Sequence, residues 1–176
     1  GATVCTPRAP TCSACPISEF CRARQNNVQA HYPVKSPKKQ RPHKTVAVGI
    51  VFHGDKILID QRKPDAMLGG LWEFPGGHVG NDERCDEAVV REVKEELDVD
   101  VEVLTQLATV EHQYSHFTVS LHAFICRFLS GTPQALGCND WKWVRPKELA
   151  NHAFPRANGK LIELLLNSPL PRGAGG

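Results

Sequence analysis

No apolar run in these 176 residues approaches the roughly 20 residues that cross a bilayer as a helix. No membrane partner is therefore expected. No basic start leads into an apolar segment and a cleavage site, so no secretory leader is read, which argues against disulfides among the seven cysteines. Methionine occurs once, at Met67, and the chain opens on Gly1, so an excerpt from a longer protein is expected. No internal repeat is found. Acid is almost missing from the first third: residues 1–54 hold eight Lys/Arg against Glu19 alone, a net +7. The whole chain carries +2, which leaves −5 for the remainder. Either a nucleic-acid-facing piece is joined to a metal-binding piece, or the basic residues keep a linker soluble.

The residues that are present suffice for one packed domain with an appendage, since 41% are hydrophobic. Four of the seven cysteines, Cys5, Cys12, Cys15 and Cys21, open the chain with gaps of six, two and five, among Pro7, Pro10 and Pro16. So short a loop cannot build a core, so its cysteines must hold it. Disulfides, a tetrahedral zinc ion or a [4Fe–4S] cluster would each do so. Only Cys12 and Cys15 form the close knuckle that zinc sites more often use twice. Residues 22–45 carry three prolines, five Lys/Arg from Lys35 onward and few apolar residues, and read as a linker.

From Thr45 the texture changes to strands. T-V-A-V-G-I-V-F, a turn at His53-Gly54-Asp55 and K-I-L-I-D-Q-R predict a hairpin. Further strands are expected over 71–74, 99–110, 117–128 and 141–144. Helices are expected over 84–97, 146–150 and 158–166, and a disordered tail over 169–176. Cys85, Cys126 and Cys138 fall in these elements without ligand spacing and are expected to be inert.

The stretch Gly70–Val99 concentrates the chemistry. Gly77 is followed after five residues by Glu83, and after seven more by Arg91-Glu92-Val93-Lys94-Glu95-Glu96-Leu97. On a helix, Glu92, Glu95 and Glu96 fall at i, i+3 and i+4 and share one side, while Val89, Val93 and Leu97 can bury. Crowded carboxylates repel unless a cation sits among them, and hard oxygen ligands suit Mg²⁺ or Mn²⁺, which normally bring phosphates. A solvated charged helix face is the alternative. The whole spacing resembles the box of the Nudix family, G-x5-E-x7-R-E-U-x-E-E-x-G-U. Every defined position matches except the late glycine, which is Asp98.

Other segments resemble the MutY adenine DNA glycosylases. C-x6-C-x2-C-x5-C is similar to the iron–sulfur loop of the endonuclease III and MutY enzymes. The Y-P-x-K-x-P-K-x-x-x-P pattern from Tyr32 to Pro42 is similar to the MutY interdomain connector. His112-Gln113-Tyr114-Ser115-His116-Phe117 is similar to the H-x-F-S-H loop that contacts 8-oxoguanine in DNA opposite adenine, with Tyr114 where Phe is usual. L-W-E-F-P-G-G and Phe154-Pro155-Arg156-Ala157-Asn158 resemble the MutT branch of Nudix hydrolases.

These resemblances imply an α+β Nudix fold, a mixed β-sheet sandwiched by helices (α/β/α). The domain, 45–168, would follow an iron–sulfur loop over 1–24 and a linker over 25–44. By resemblance, Glu92, Glu95, Glu96 and the carbonyl of Gly76 bind Mg²⁺ or Mn²⁺, with Glu92 also a candidate base. Arg91 and Glu83 form a pair that orients the others. Cys5, Cys12, Cys15 and Cys21 would hold [4Fe–4S]. Arg62 is placed to meet a phosphate, or is a surface strand end. Phe74, Tyr114, Ser115, His116 and Asn158 are the expected substrate contacts. Asn158 offers a donor and an acceptor to a guanine edge, or serves as a helix N-cap. A further acidic ligand common in the family falls on Gly137, with Asp140 the nearest carboxylate.

The activity implied is hydrolysis of 8-oxo-dGTP to 8-oxo-dGMP and pyrophosphate, within a MutY-like protein of oxidative DNA repair. The alternative is a non-hydrolytic reader of 8-oxoguanine in duplex DNA. The glycosylase's own catalytic helices would lie before Gly1, so adenine excision is not expected of this chain. A monomer in a bacterial-type, nucleoid-associated cytoplasmic setting is expected.

Overall fold

The computed structural model describes residues 3–34 and 41–167, and these fall in two compact units, Gly1–Gln40 and Arg41–Gly176. The expected tail and residues 35–40 of the expected linker lie outside the described residues.

The first unit contains 3-10 turns at Cys12–Ala14, Ser18–Phe20 and Gln29–His31 and one short helix, α1 (Arg22–Gln25). None of these turns buries a residue. Part of the stretch expected as linker is therefore helical turn. The expected linker also overlaps the first strand of the second unit, which begins at His43.

That second unit is a mixed sheet between helices. Its strands are β1 (His43–His53), β2 (Lys56–Gln61), β3 (Trp72–Glu73), β4 (Gly76–His78), β5 (Val99–Gln113), β6 (Thr118–Gly131) and β7 (Asp140–Val144). The main order is β3-β2-β1-β6-β5, with β4 paired to β1 and β7 to β2. Only β1 and β6 run parallel among these pairs; the others are antiparallel. The helices are α2 (Cys85–Leu97), a 3-10 turn at Pro146–Asn151 and α3 (Arg156–Asn167).

Both faces of the central strands are covered, which is why β1 and β2 read as near-continuous apolar runs. Alternation sorts their side chains between two cores. Val48, Ile50, Ile57 and Ile59 pack with Leu149, Ala157, Leu161 and Leu165 on the α3 side. Ala47, Val51 and Leu58 pack with Ala88, Val89, Val93 and Leu97 on the α2 side. Asp60 shares the parity of Leu58 and so falls on the α2 side.

Helix α2 forms because Val89, Val93 and Leu97 recur every four residues and make one buried stripe. At its start Glu87 accepts a hydrogen bond from the Arg84 amide (3.2 Å). At its end Asp98 adopts the left-handed conformation (φ 54°), where a glycine is usual. Asp tolerates that region better than most residues, and Lys94 Nζ reaches its Oδ1 at 2.8 Å. The departure from the family box thus occupies a helix cap, away from the carboxylate face.

A carboxylate-lined cavity as candidate active site

A close approach of β4 to its neighbours sets the site. Gly76 and Gly77 on β4 pair with Val48 and Ala47 on β1, directly beside α2. Gly76 has φ 149°, and a Cβ there would lie 2.2 Å from the Ala47 carbonyl oxygen. A Cβ on Gly77 would lie 2.3–2.5 Å from the Glu92 carboxylate. Only glycine lets the helix carboxylates come this close to the sheet. The Gly76 amide donates to Glu96 Oε2 (3.2 Å). It is thus the amide of Gly76, the residue expected to offer its carbonyl, that meets a carboxylate.

Arg91 ties the helix to the loop ahead of it. Its Nε and Nη2 donate to Glu83 (2.7 and 2.9 Å), Nη1 to Glu92 (2.9 Å) and Glu95 (3.3 Å), and Nη2 also to the His78 carbonyl (3.0 Å). Glu83 accepts as well from the Gly80 amide (2.8 Å). The Arg91 hydrogen bonds, then that amide, hold the Glu83 carboxyl down at about 2, and the same carboxylates raise the Arg91 guanidinium further.

Above this frame lies a cavity of about 370 Å³ lined by Asp60, Glu73, Glu92 and Glu96, with Arg62, Lys63, Gly76, Gly137, Cys138 and Asn158 in its wall. Burial pushes Glu96 up to about 7, with Glu73 and Glu92 adding to the rise and the Gly76 amide and Arg62 opposing it. Burial also raises Glu73, although Arg62 opposes it, and raises Asp60 well above the usual carboxylate range, with Glu73 and Glu96 adding to it. The basic groups in the wall are already engaged: Arg62 Nη1 bonds both oxygens of Glu73 (2.8 and 2.6 Å) and its Nε donates to the Met67 carbonyl (2.7 Å), while Lys63 lies 3.5 Å from the Leu136 carbonyl. Asp60 Oδ1 and Asn158 Oδ1 are buried without hydrogen-bond partners among the described residues. Four oxygen-rich, mutually repelling side chains with an orphaned carboxylate oxygen fit a hard divalent cation. Among the described residues, however, no three His, Cys, Asp or Glu side chains are spaced to hold a metal ion as they stand.

A second cavity of about 120 Å³ shares Arg62, Glu73, His78 and Asn158 with the first and extends to Lys44, Tyr114, Phe117 and Pro155. Tyr114 stacks on Phe117 (centroids 4.7 Å) and meets His112 edge-on (4.5 Å). Lys44 Nζ sits 5.1 Å from the Phe117 ring centre. One end of the combined space is anionic and the other aromatic.

Several expected residues fall elsewhere. Glu95 does not line the first cavity, and its side chain is 60% exposed, so the three helix carboxylates do not converge. Phe74, directly after β3, is fully buried in the core beside Phe154 (5.6 Å) and lines neither cavity, because it continues the inward alternation of Trp72. Ser115 and His116 are exposed in the β5–β6 turn and also line neither. Helix α3 starts at Arg156, so Asn158 stands within its first turn and is not its N-cap. Asp140 is exposed and accepts from the Trp141 amide (2.9 Å). Cys138, expected to be inert within an ordered element, lies in the loop before β7 and lines the carboxylate cavity, its thiol pushed up to about 11 by burial. Asp60 and Glu73 are the residues that sequence reading missed. A charged residue ending the apolar run K-I-L-I-D was the available signal.

In the first unit Cys5, Cys12, Cys15 and Cys21 line one cavity of about 480 Å³ together with Pro7, Pro10, Tyr32 and Pro33. All four thiols are free.

A family model described as NUDIX domain matches residues 47–164. A CTP pyrophosphohydrolase of Escherichia coli (strain K12) is 33% identical over 121 residues, 69% of this chain and 90% of that protein. An 8-oxo-dGTP diphosphatase of Proteus vulgaris is 35% identical over 81 residues, 46% and 72% of the two chains. An adenine DNA glycosylase of Homo sapiens is 25% identical over 93% of this chain, which spans 39% of the human protein. Among solved structures, the solution structure of the E. coli ORF135 protein superposes with a TM-score of 0.64 at 30% identity, over 78% of this chain and 100% of that one.

Proposed function

The chain belongs to the NUDIX domain family, and on that premise we propose that its second unit is a metal-dependent pyrophosphohydrolase for oxidised guanine nucleotides, releasing pyrophosphate from 8-oxo-dGTP. The observation that carries this reading is the joined pair of cavities, one lined by Asp60, Glu73, Glu92 and Glu96, the other by Tyr114, Phe117 and Asn158. In it, Glu92, Glu96 and the Gly76 carbonyl would hold Mg²⁺ or Mn²⁺. Glu95 reaches that set only by turning inward from its place on Arg91. When bound, the cation neutralises diphosphate oxygens and polarises phosphorus toward attack by water.

The chain's own residues do the remainder. Glu92 accepts the proton of the attacking water, and Arg91 with Glu83 fixes where that carboxylate points. Arg62, held by Glu73, presents its guanidinium to the phosphates. Tyr114 and Phe117 supply a stacking surface for the base. Asn158, whose buried Oδ1 lacks a partner, bonds the oxidised purine edge. Similarity to an 8-oxo-dGTP diphosphatase supports this base, whereas similarity to a CTP pyrophosphohydrolase leaves a cytosine nucleotide as the competitor. Pyrophosphate release from 8-oxo-dGTP, dGTP and CTP side by side tests the assignment. The expected result is highest kcat/KM for 8-oxo-dGTP, reduced about 10–200-fold in Asn158→Ala, the range for losing one or two base contacts. Preference for CTP, unchanged in Asn158→Ala, would refute it.

The exposed Ser115–His116 turn and the similarity to adenine DNA glycosylases support a second role: reading 8-oxoguanine opposite adenine in duplex DNA, as part of a longer protein. In that setting the four N-terminal cysteines hold a [4Fe–4S] cluster. Four free thiols around one wide cavity suit a multi-iron cluster better than a single ion. Iron analysis of anaerobically purified protein is expected to show about four iron atoms per chain, lost in Cys15→Ser; an iron-free folded protein would refute it.

A further inference from the structure

Asp60 lines the site but is not among the residues proposed above to hold the cation, and it is the most deeply buried carboxylate there. It is 1% exposed, it lines the carboxylate cavity, and its Oδ1 has no hydrogen-bond partner among the described residues. Strand alternation turns it toward α2, and register places it across from Glu73 on one side and Trp141 on the other. Neither basic side chain in the wall bonds it: Arg62 is held by Glu73, and Lys63 lies at the Leu136 carbonyl. A buried carboxylate left like this is costly, and a protein tolerates it where a ligand completes it.

The segment leading into β7, next to β2 in the sheet, bears on why this carboxylate comes from β2. Gly137 occupies the position where an acidic residue was expected from the family pattern. A Cβ on Gly137 would stand 2.8 Å from Glu96 Cγ and 3.0 Å from its Cα. The Gly137 amide also bonds the Glu96 carbonyl (3.0 Å). No side chain fits there unless α2 shifts, and Asp140, the nearest alternative, faces solvent. Asp60 approaches the same Glu96 carboxylate from the sheet.

We propose that Asp60 is a cation-facing carboxylate of this site, serving from β2 the place that Gly137 leaves without an acid. The inference rests on the proposed cation site, and its test separates the two. Mn²⁺ binding is measured by electron paramagnetic resonance on the full chain, with Glu96→Gln, Asp60→Asn and Asp140→Asn. The expected result is at least tenfold weaker binding for Asp60→Asn and for Glu96→Gln, and unchanged binding for Asp140→Asn. In chelator, Asp60→Asn is also expected to unfold at a higher temperature than the wild type, with a smaller rise on adding Mn²⁺. Binding lost in Glu96→Gln but kept within twofold in Asp60→Asn overturns this inference alone. No Mn²⁺ binding by the wild type overturns the cation site and this inference with it. Should Asp60→Asn fail to fold, wild-type crystals soaked in Mn²⁺ decide: an Asp60 oxygen on the ion supports the proposal, and an ion bound without Asp60 overturns it.

Discussion

Glu96 carries the clearest pH signature of any single residue. Its carboxyl is raised from 4.5 to about 7 by burial, with Glu73 and Glu92 contributing. For an acid raised in the folded state, the destabilisation is absent below the unfolded value. It grows as pH rises from about 4.5 and is complete above about 7. The difference corresponds to about 3 kcal/mol at most. Glu96→Gln in chelator is thus expected to gain about 2–3 kcal/mol over the wild type at pH 8 and almost nothing at pH 4.5, read by urea unfolding at the two pH values. An equal gain at both would show that burial of the charge is not the cause.

Residues of this kind were only partly legible in the sequence. The box spacing places Glu92 and Glu96, because helix periodicity is local. Asp60 and Glu73 meet them only through strand pairing, which no local pattern encodes, and the two residues of β3 are too few to show that Phe74 after them turns into the core. Glu95 points outward because Arg91 holds it one turn away, a competition that charge spacing alone leaves open.

The elements themselves were mostly readable. The long strands, α2 and the final helix carry strong periodicity. β4 did not: Gly76, Gly77 and His78 have no strand propensity, and they pair with β1 because glycine alone tolerates its nearness to Glu92 and Ala47. α2 is the element on which the site depends, and its C-terminus bears the one departure from the family box. Asp98 is left-handed, which costs a non-glycine residue about 1 kcal/mol or more. Its ion pair with Lys94 is solvent-exposed and offsets only part of this. Asp98→Gly is therefore expected to raise stability by about 0.5–1 kcal/mol without changing nucleotide turnover. Destabilisation in urea would show that the ion pair outweighs the backbone.

Across the whole molecule, charge and structure divide at nearly the same place. Net positive charge concentrates in residues 1–54, where acid is nearly missing, and the chain divides into its two compact units between residues 40 and 41. Both hydrophobic cores and both cavities of the candidate site belong to the second unit. A chain starting at Arg41 is expected to hydrolyse nucleotide within a few-fold of the full chain. Its affinity for duplex DNA should fall, and its dependence on salt should flatten, because several Lys/Arg that displace counterions are gone. Loss of hydrolysis in that folded unit would tie the chemistry to the first.

Whether the carboxylate-lined cavity cleaves a diphosphate bridge with a divalent cation is decided by pyrophosphate release from 8-oxo-dGTP by the wild type and by Glu92→Gln, titrated with Mg²⁺. Turnover is expected to rise with Mg²⁺, vanish in chelator and fall by about 10²–10⁴ in the variant, as for loss of a general base. Turnover independent of Mg²⁺, or equal in the two proteins, would contradict cation-dependent cleavage in that cavity.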